Sequence, residues 1–276
     1  MHYTLTIRYL CLFVAFFLCA CDKPQDISTA ADNVQILPYS FVMPELDRQR
    51  SVRLYLPPSY YQSEKFYPVI YMHDGQNLFD EKTADTTEWG VDESLNQLAE
   101  KQGFEAIVVG IDNGAEYRMN ELSPWKNKRY GEAQGKQYMD FIVQVVKPYI
   151  DTNFRTKTDR LHTVVMGSDM GGVMSHYALF AYADVFSKAG VFSPSYWYSP
   201  EVFSFIRLQN LPLDSRLYVV YGDKEGDGMI ADNHNMQRQL RQQGYPLKNM
   251  TFKRVPQGEH NEALWQAEFT AAVQWL

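Results

Sequence analysis

Residues Val164 to Gly172 read VVMGSDMGG, an apolar run that ends in two glycines placed symmetrically about Asp169. Val164 to Met166 have the β-branched, apolar character of a buried strand, and GVMSHYALFAY (172–182) follows with helical periodicity. A small-x-X-x-small turn between strand and helix forces its central residue into a strained backbone and lifts that side chain above the sheet, where small flanking residues avoid clashes. Gly167 and Gly171 meet this need around Asp169. Taking Ser168 as the centre would put Met166 and Met170 at the small positions, so its hydroxyl is a poor substitute. The turn therefore presents a carboxylate where hydrolytic enzymes commonly present a hydroxyl.

Moving outward, six short apolar runs have strand character: YPVIYM (67–72), AIVVGI (106–111), HTVVMG (162–167), KAGVFS (188–193), RLYVVYG (216–222) and MTFKRV (250–255). Helical periods fall among them at 91–101, 139–150, 172–182, 229–244 and 262–276. This alternation predicts an α/β fold with a mainly parallel sheet and helices on both faces. Before it, QILPYSFVM and SVRLYLPPSYY flank PELDRQR and predict an N-terminal antiparallel hairpin. At 276 residues, with no repeat, the chain suits one large domain over residues 34–276.

Ligands of such sheets bind beyond the carboxyl ends of the strands, which directs attention to the loops that follow each run. After the fifth run, GDKEGDG offers Glu225 to orient an imidazole, with Asp223 and Asp227 as rivals. After the last, QGEHNEALW offers His260 as a base. Asp169, Glu225 and His260 thus occur in the order nucleophile, acid, base. His73, in HDGQNLFD after the first run, is expected to pack at the base of its loop, and Arg118 and Glu121 are expected to form a structural ion pair. No His-x-x-x-His or similar spacing points to a metal, and no cofactor motif occurs.

Taken together, RLYLPPSYY, YPVIYMHDGQNLFD, WGVDESL, VVGIDN, SPW, YIDTNFRT, GSDMGG, FSPSYWY and GEHNEALW resemble the putative esterase family of α/β hydrolases over residues 45–276. That family includes esterase D, feruloyl esterases, siderophore esterases and mycolyltransferases. The resemblance implies an α/β-hydrolase fold, a small carboxylic ester as substrate, and a serine at the position of Asp169. It also implies an oxyanion hole made by the backbone N–H groups of Gln76 and Met170. Asn77, Asp112, Asn113, Trp125, Ser195, Tyr196 and Trp197, all in loops at this edge, are candidates to line the substrate pocket.

An aspartate at the elbow changes the chemistry. With an ordinary pKa of about 3.9 it is ionised at neutral pH, and its attack on an ester would give a mixed anhydride of higher energy. Three readings follow: an esterase in which His260 activates water, a ligand-binding or partner-binding protein without catalysis, and an Asp-nucleophile hydrolase acting at saturated carbon, as on alkyl halides or epoxides.

The N-terminus supplies an address. MHYTLTIRYLCLFVAFFLCAC carries Arg8 and then an apolar run from Tyr9 to Ala20, too short for a mature membrane span, and is expected to be a signal peptide over residues 1–20. Leu18-Cys19-Ala20-Cys21 resembles a bacterial lipobox, with Cys21 as the lipidated residue and Asp22 resembling an inner-membrane retention signal; a plain secreted protein with a chance cysteine is the alternative. A polar tether over 21–33 would join a periplasm-facing domain to a membrane through its acyl chains. All three cysteines lie in the first 21 residues, so cysteine catalysis and disulfides in the remaining domain are excluded. Without residues 1–20 the chain has 25 basic and 33 acidic residues, a net charge of −8 that argues against nucleic-acid binding.

Overall fold

The computed structural model describes residues 27–276; the signal peptide, Cys21 and the start of the tether lie outside the described residues. Among the described residues, ten strands and eight α-helices follow one another. Strands β1 (Val34–Ile36), β2 (Phe41–Met43), β3 (Arg48–Arg50) and β4 (Val52–Tyr55) come first, then β5 (Val69–His73), α1 (Val91–Gln102), β6 (Ile107–Ile111) and α2 (Arg118–Glu121). Helices α3 (Gly135–Phe141) and α4 (Lys147–Asn153) flank a π-helical segment, Ile142–Val146. After them come β7 (Thr163–Ser168), α5 (Met170–Ala181), β8 (Lys188–Phe192), α6 (Glu201–Arg207), β9 (Arg216–Gly222), α7 (Asp227–Gln242), β10 (Met250–Val255) and α8 (Glu262–Trp275).

The main sheet has the order β1-β4-β6-β5-β7-β8-β9-β10, and every pairing from β6 to β10 is parallel. Parallel pairing needs crossovers, and these place helices on both faces. Val69, Tyr71, Val109, Val165, Val191 and Val219 face the layer formed by α3 to α7, whereas Ile70, Met72, Val108, Val164, Met166 and Val220 face α1 and α8. Residues two apart share a face, so each central strand contributes to both cores. The strand order reverses at β5: β6 is added on one side of it and β7 on the other, which opens a crevice beyond their carboxyl ends.

The N-terminal hairpin differs in detail from the sequence expectation. β2 and β3 form a separate two-stranded antiparallel ribbon, while β1 and β4 join the main sheet, antiparallel to each other. Pro38 lies between β1 and β2 and has no N–H to continue a ladder, so the first long run divides there. The helix expected over 139–150 begins earlier, at Gly135, and passes through the π segment ahead of Pro148, which cannot donate a helical bond. Among the described residues no helix is long and apolar enough to cross a membrane.

Candidate active site

Asp169 sits between β7 and α5 with φ 52° and ψ −116°, a strained conformation for a residue with a side chain. Its N–H donates to the Phe192 carbonyl at 3.0 Å and its own carbonyl accepts from the Ser195 N–H at 3.2 Å, so the loop after β8 holds the turn from above. Gly167 is obligatory because a Cβ there would lie 2.8 Å from the backbone carbon of Gly171. Met170 begins α5, and its N–H belongs to the first turn of the helix, where no intrahelical acceptor exists. Across the crevice, Gln76 sits in the 3₁₀ turn Gly75–Asn77 after β5, held by Asn113 N–H donating to Gln76 Oε1 at 3.0 Å and Thr83 Oγ1 donating to the Gln76 carbonyl at 2.7 Å.

Glu225 and His260 lie together at the ends of β9 and β10, close to Asp169. His260 Nδ1 lies 2.7 Å from Glu225 Oε2, and Glu225 Oε1 accepts from Ser193 Oγ at 2.8 Å and from the Gly222 N–H. Trp265 donates from Nε1 to Ser193 Oγ at 2.9 Å and lies edge-on to His260, with ring centroids 5.4 Å apart. Of the rival acids, Asp223 accepts from the Gln257 N–H and Asp227 opens α7, so Glu225 is the carboxylate on the imidazole. His260 Nε2 stands 3.7 Å from Asp169 Oδ1. Burial lowers the pKa of His260, but the hydrogen bond to Glu225 and the charges of Asp169 and Glu225 outweigh it, and the net shift is upward from 6.5.

One cation was misassigned from the sequence. Arg118 does not pair with Glu121; it grips Asp74 through Nε and Nη2 at 2.7 and 2.9 Å and reaches Asp169 Oδ2 through Nη1 at 3.2 Å. Glu121 is buried beneath and accepts from Arg48 and Arg50. Proximity in sequence suggested the wrong pair, because residues three apart on the short helix α2 reach different layers of the site. Burial would depress the guanidinium of Arg118, yet the charge and hydrogen bonds of Asp74, then those of Asp169, raise its pKa well above the usual arginine value. The Asp74 carboxyl is pulled below its ordinary range against its own desolvation, chiefly by Arg118. Asp74 was missed because its role depends on this spatial pairing, although it follows β5 at the expected edge of the sheet.

The candidate pocket residues divide. Ser195 donates from Oγ to Asp169 Oδ1, and Ser195, Trp197, Gly228 and Met229 line a cavity of about 410 Å³ with Asp169, Glu225 and His260. The others do not line it. Tyr196 is buried with its hydroxyl 2.7 Å from His176 Nδ1, and Trp125 packs against Tyr177 and Phe205. Asn77 accepts from the Asp85 N–H, Asn113 donates to Asp74 Oδ1 at 2.6 Å, and Asp112 pairs with Arg53. Aromatic and amide residues in loops were read as pocket walls, whereas these serve to cover sheet ends or fix loops. His73 packs at the base of its loop as expected, buried against the elbow with Nδ1 2.9 Å from Tyr138 Oη, and burial lowers its pKa to about 4.

Comparison with known proteins shows the family and the fold. Residues 43–276 match the family model described as "Putative esterase". Protein YbbA of Bacillus subtilis (strain 168) is 25% identical over 242 residues, covering 82% of this chain and 92% of that protein. Among solved structures, the BES protein from Bacillus cereus superposes with a TM-score of 0.72 at 18% identity, covering 99% of this chain and 98% of the other. An IroE-like serine hydrolase from Shewanella oneidensis gives a TM-score of 0.71 at 21% identity, with coverage of 87% and 79%. The enterobactin esterase of Shigella flexneri gives 0.69 at 18% identity, with coverage of 89% of this chain and 60% of that one. With its sheet order, its strained elbow and its Glu225–His260 pair at the ends of β9 and β10, the chain belongs to the putative esterase family of α/β hydrolases.

Proposed function

We propose that the protein hydrolyses a small carboxylic ester by direct attack of water, held between His260 and Asp169 in the place that a serine hydroxyl would occupy. The observation that carries this reading is the 3.7 Å separation of His260 Nε2 from Asp169 Oδ1. That distance is too long for a hydrogen bond, but one water lying about 2.8 Å from each atom fits it. His260, oriented by Glu225, takes the proton as the water oxygen attacks the ester carbonyl, and Asp169 orients the second hydrogen. The N–H groups of Gln76 and Met170 receive the oxyanion. His260 then returns the proton to the departing alkoxide, leaving acid and alcohol without a covalent enzyme intermediate.

Charge is the objection to this scheme, and Arg118 answers part of it. A carboxylate about 4 Å from an oxyanion repels it by roughly 4 kcal/mol at an effective dielectric of 20, and a guanidinium at similar range supplies an attraction of the same order. Arg118 donates to Asp169 at 3.2 Å while it also grips Asp74, so the guanidinium is shared between two carboxylates and offsets only part of the repulsion that the developing oxyanion meets. Trp197 and Met229 give the cavity apolar walls suited to the hydrocarbon or aromatic part of an ester. Export and attachment through a lipidated Cys21 would set this site in a periplasm-like compartment, facing esters that enter or leave the cell.

The decisive experiment compares wild type, Asp169→Ser and His260→Ala on one panel of aryl esters. Wild type is expected to turn over slowly without a burst, His260→Ala to lose that activity, and Asp169→Ser to gain a burst of acylation. Turnover by Asp169→Ser alone, with none by wild type, would reject the water mechanism and leave a ligand-binding role. A mass increment on Asp169 in His260→Ala protein exposed to alkyl halides or epoxides would instead establish the aspartate as the nucleophile.

A further inference from the structure

We propose that Glu88, Asp92 and Glu93 form a binding site for a divalent cation, Ca²⁺ in preference to Mg²⁺, at the start of helix α1. One carboxylate oxygen from each residue lies within 4.8 Å of the other two. Acidic residues often gather on surfaces for no such reason, but here Asp92 is buried and Glu88 half-buried. Asp92 is fully buried at 0% exposure, and its Oδ1 has no hydrogen-bond partner among the described residues. Glu88 Oε2 is likewise buried without a partner. Asp92 Oδ2 accepts from the Ala31 N–H at 2.8 Å, so one oxygen is satisfied, while Oδ1 of this cluster residue is left without a partner. Among the described residues no Lys, Arg or His forms an ion pair with any of the three.

Buried carboxylates are retained in proteins where a cation or hydrogen bonds compensate their lost hydration. The N-terminus of α1 supplies only about half a positive charge, which is too little for three carboxylates. An all-oxygen anionic donor set selects a hard cation. Three protein carboxylates around one ion suit Ca²⁺, which takes 6–8 oxygens in a flexible shell, better than Mg²⁺, which demands a near-ideal octahedron and usually keeps its waters beside one or two carboxylates. Water would complete a shell of 6–8 oxygens in this partly exposed position.

The site would tie three segments together. Glu88 comes from the loop before α1, Asp92 and Glu93 from its first turn, and Ala31 from the stretch that leads in from the tether. Trp89, between the ligands, packs against Trp265 with ring centroids 5.5 Å apart, and Trp265 in turn packs against His260. A cation here therefore braces the aromatic wall behind the imidazole from outside the reaction centre.

The test uses the full chain stripped with EGTA, then titrated calorimetrically with CaCl₂ and separately with MgCl₂, with thermal unfolding followed in parallel. One Ca²⁺ is expected to bind per chain and raise Tm, with weaker binding of Mg²⁺. Asp92→Asn should raise Tm of the metal-free protein by removing a buried charge, and should weaken Ca²⁺ binding by about tenfold or more because ligand charge sets affinity in such sites. Glu93→Gln changes an exposed ligand, leaves the fold untouched and should weaken binding to a similar extent. Absence of heat and of any Tm shift in wild type at millimolar Ca²⁺ would overturn the proposal. So would undiminished binding in both variants, or stabilisation by acid alone, which would mean that a proton takes the place of the cation.

Discussion

Asp169 sets a carboxylate on the strained turn between β7 and α5, where the family resemblance implies a serine. Its carboxylate is not free to roam: Ser195 and His260 lie at Oδ1, and Arg118 holds Oδ2. This local balance leads to a pH signature. His260 serves as a base only when neutral, and its pKa is raised above 6.5 by Glu225 and Asp169 against the opposing effect of burial. Ester hydrolysis should therefore rise with pH through a limb centred above 6.5. Asp169→Asn removes one of the raising charges and should move that limb to lower pH, read from kcat/KM profiles that report the free enzyme. A limb that stays put, or moves upward, would contradict the coupling of these two residues. Asp169, Glu225 and His260 could be singled out together in the sequence because strand ends and turn spacing determine where such residues emerge. Arg118 was misjudged because nothing in one dimension distinguishes a neighbour three residues away from a partner across a crevice.

At the scale of elements, the same imidazole depends on how α8 begins. The Asn261 side chain accepts from the Leu264 N–H at 3.2 Å, capping the helix one residue after His260 and one turn before Trp265. Replacing a cap of this kind by alanine costs about 1 kcal/mol. In a domain of this size, Asn261→Ala should lower Tm by roughly 2–4 °C, and scanning calorimetry would detect it; an unchanged Tm would mean that the cap bond contributes nothing. The parallel strands were legible because burial on both faces demands continuous β-branched runs, as in Ile107–Ile111. The N-terminal ribbon was less so, since pairing of short edge strands is decided by what lies beside them and by Pro38, and not by their own composition.

Across the whole molecule, two histidines are buried in neutral form. Burial lowers His73 to about 4 and His176 to about 3, from an ordinary 6.5. Unfolded chains take up protons at both groups as pH falls below 6.5, while the folded protein does not until near those lowered values. The unfolded state thus binds more protons in this window, and stability falls with pH by up to about 1.4 kcal/mol per unit for each group. Urea unfolding midpoints measured at pH 7 and pH 5 should drop accordingly, and His176→Gln should flatten the dependence. Equal midpoints for wild type at the two pH values would show that these histidines titrate normally in the folded state.

The sequence by itself determined the α/β architecture, the elbow at VVMGSDMGG and the order of acid and base along the chain. These depend on local periodicity, on glycine spacing, and on the rule that chemistry gathers at the carboxyl ends of parallel strands. Only the tertiary structure decided what surrounds the aspartate. The 3.7 Å gap to His260, the grip of Arg118 on both Asp74 and Asp169, and the choice of Ser195 and Trp197 over Trp125 and Tyr196 as pocket walls are relations between residues far apart in the chain. Their distances are fixed by how the two helical layers pack against the sheet, and no local pattern encodes that packing.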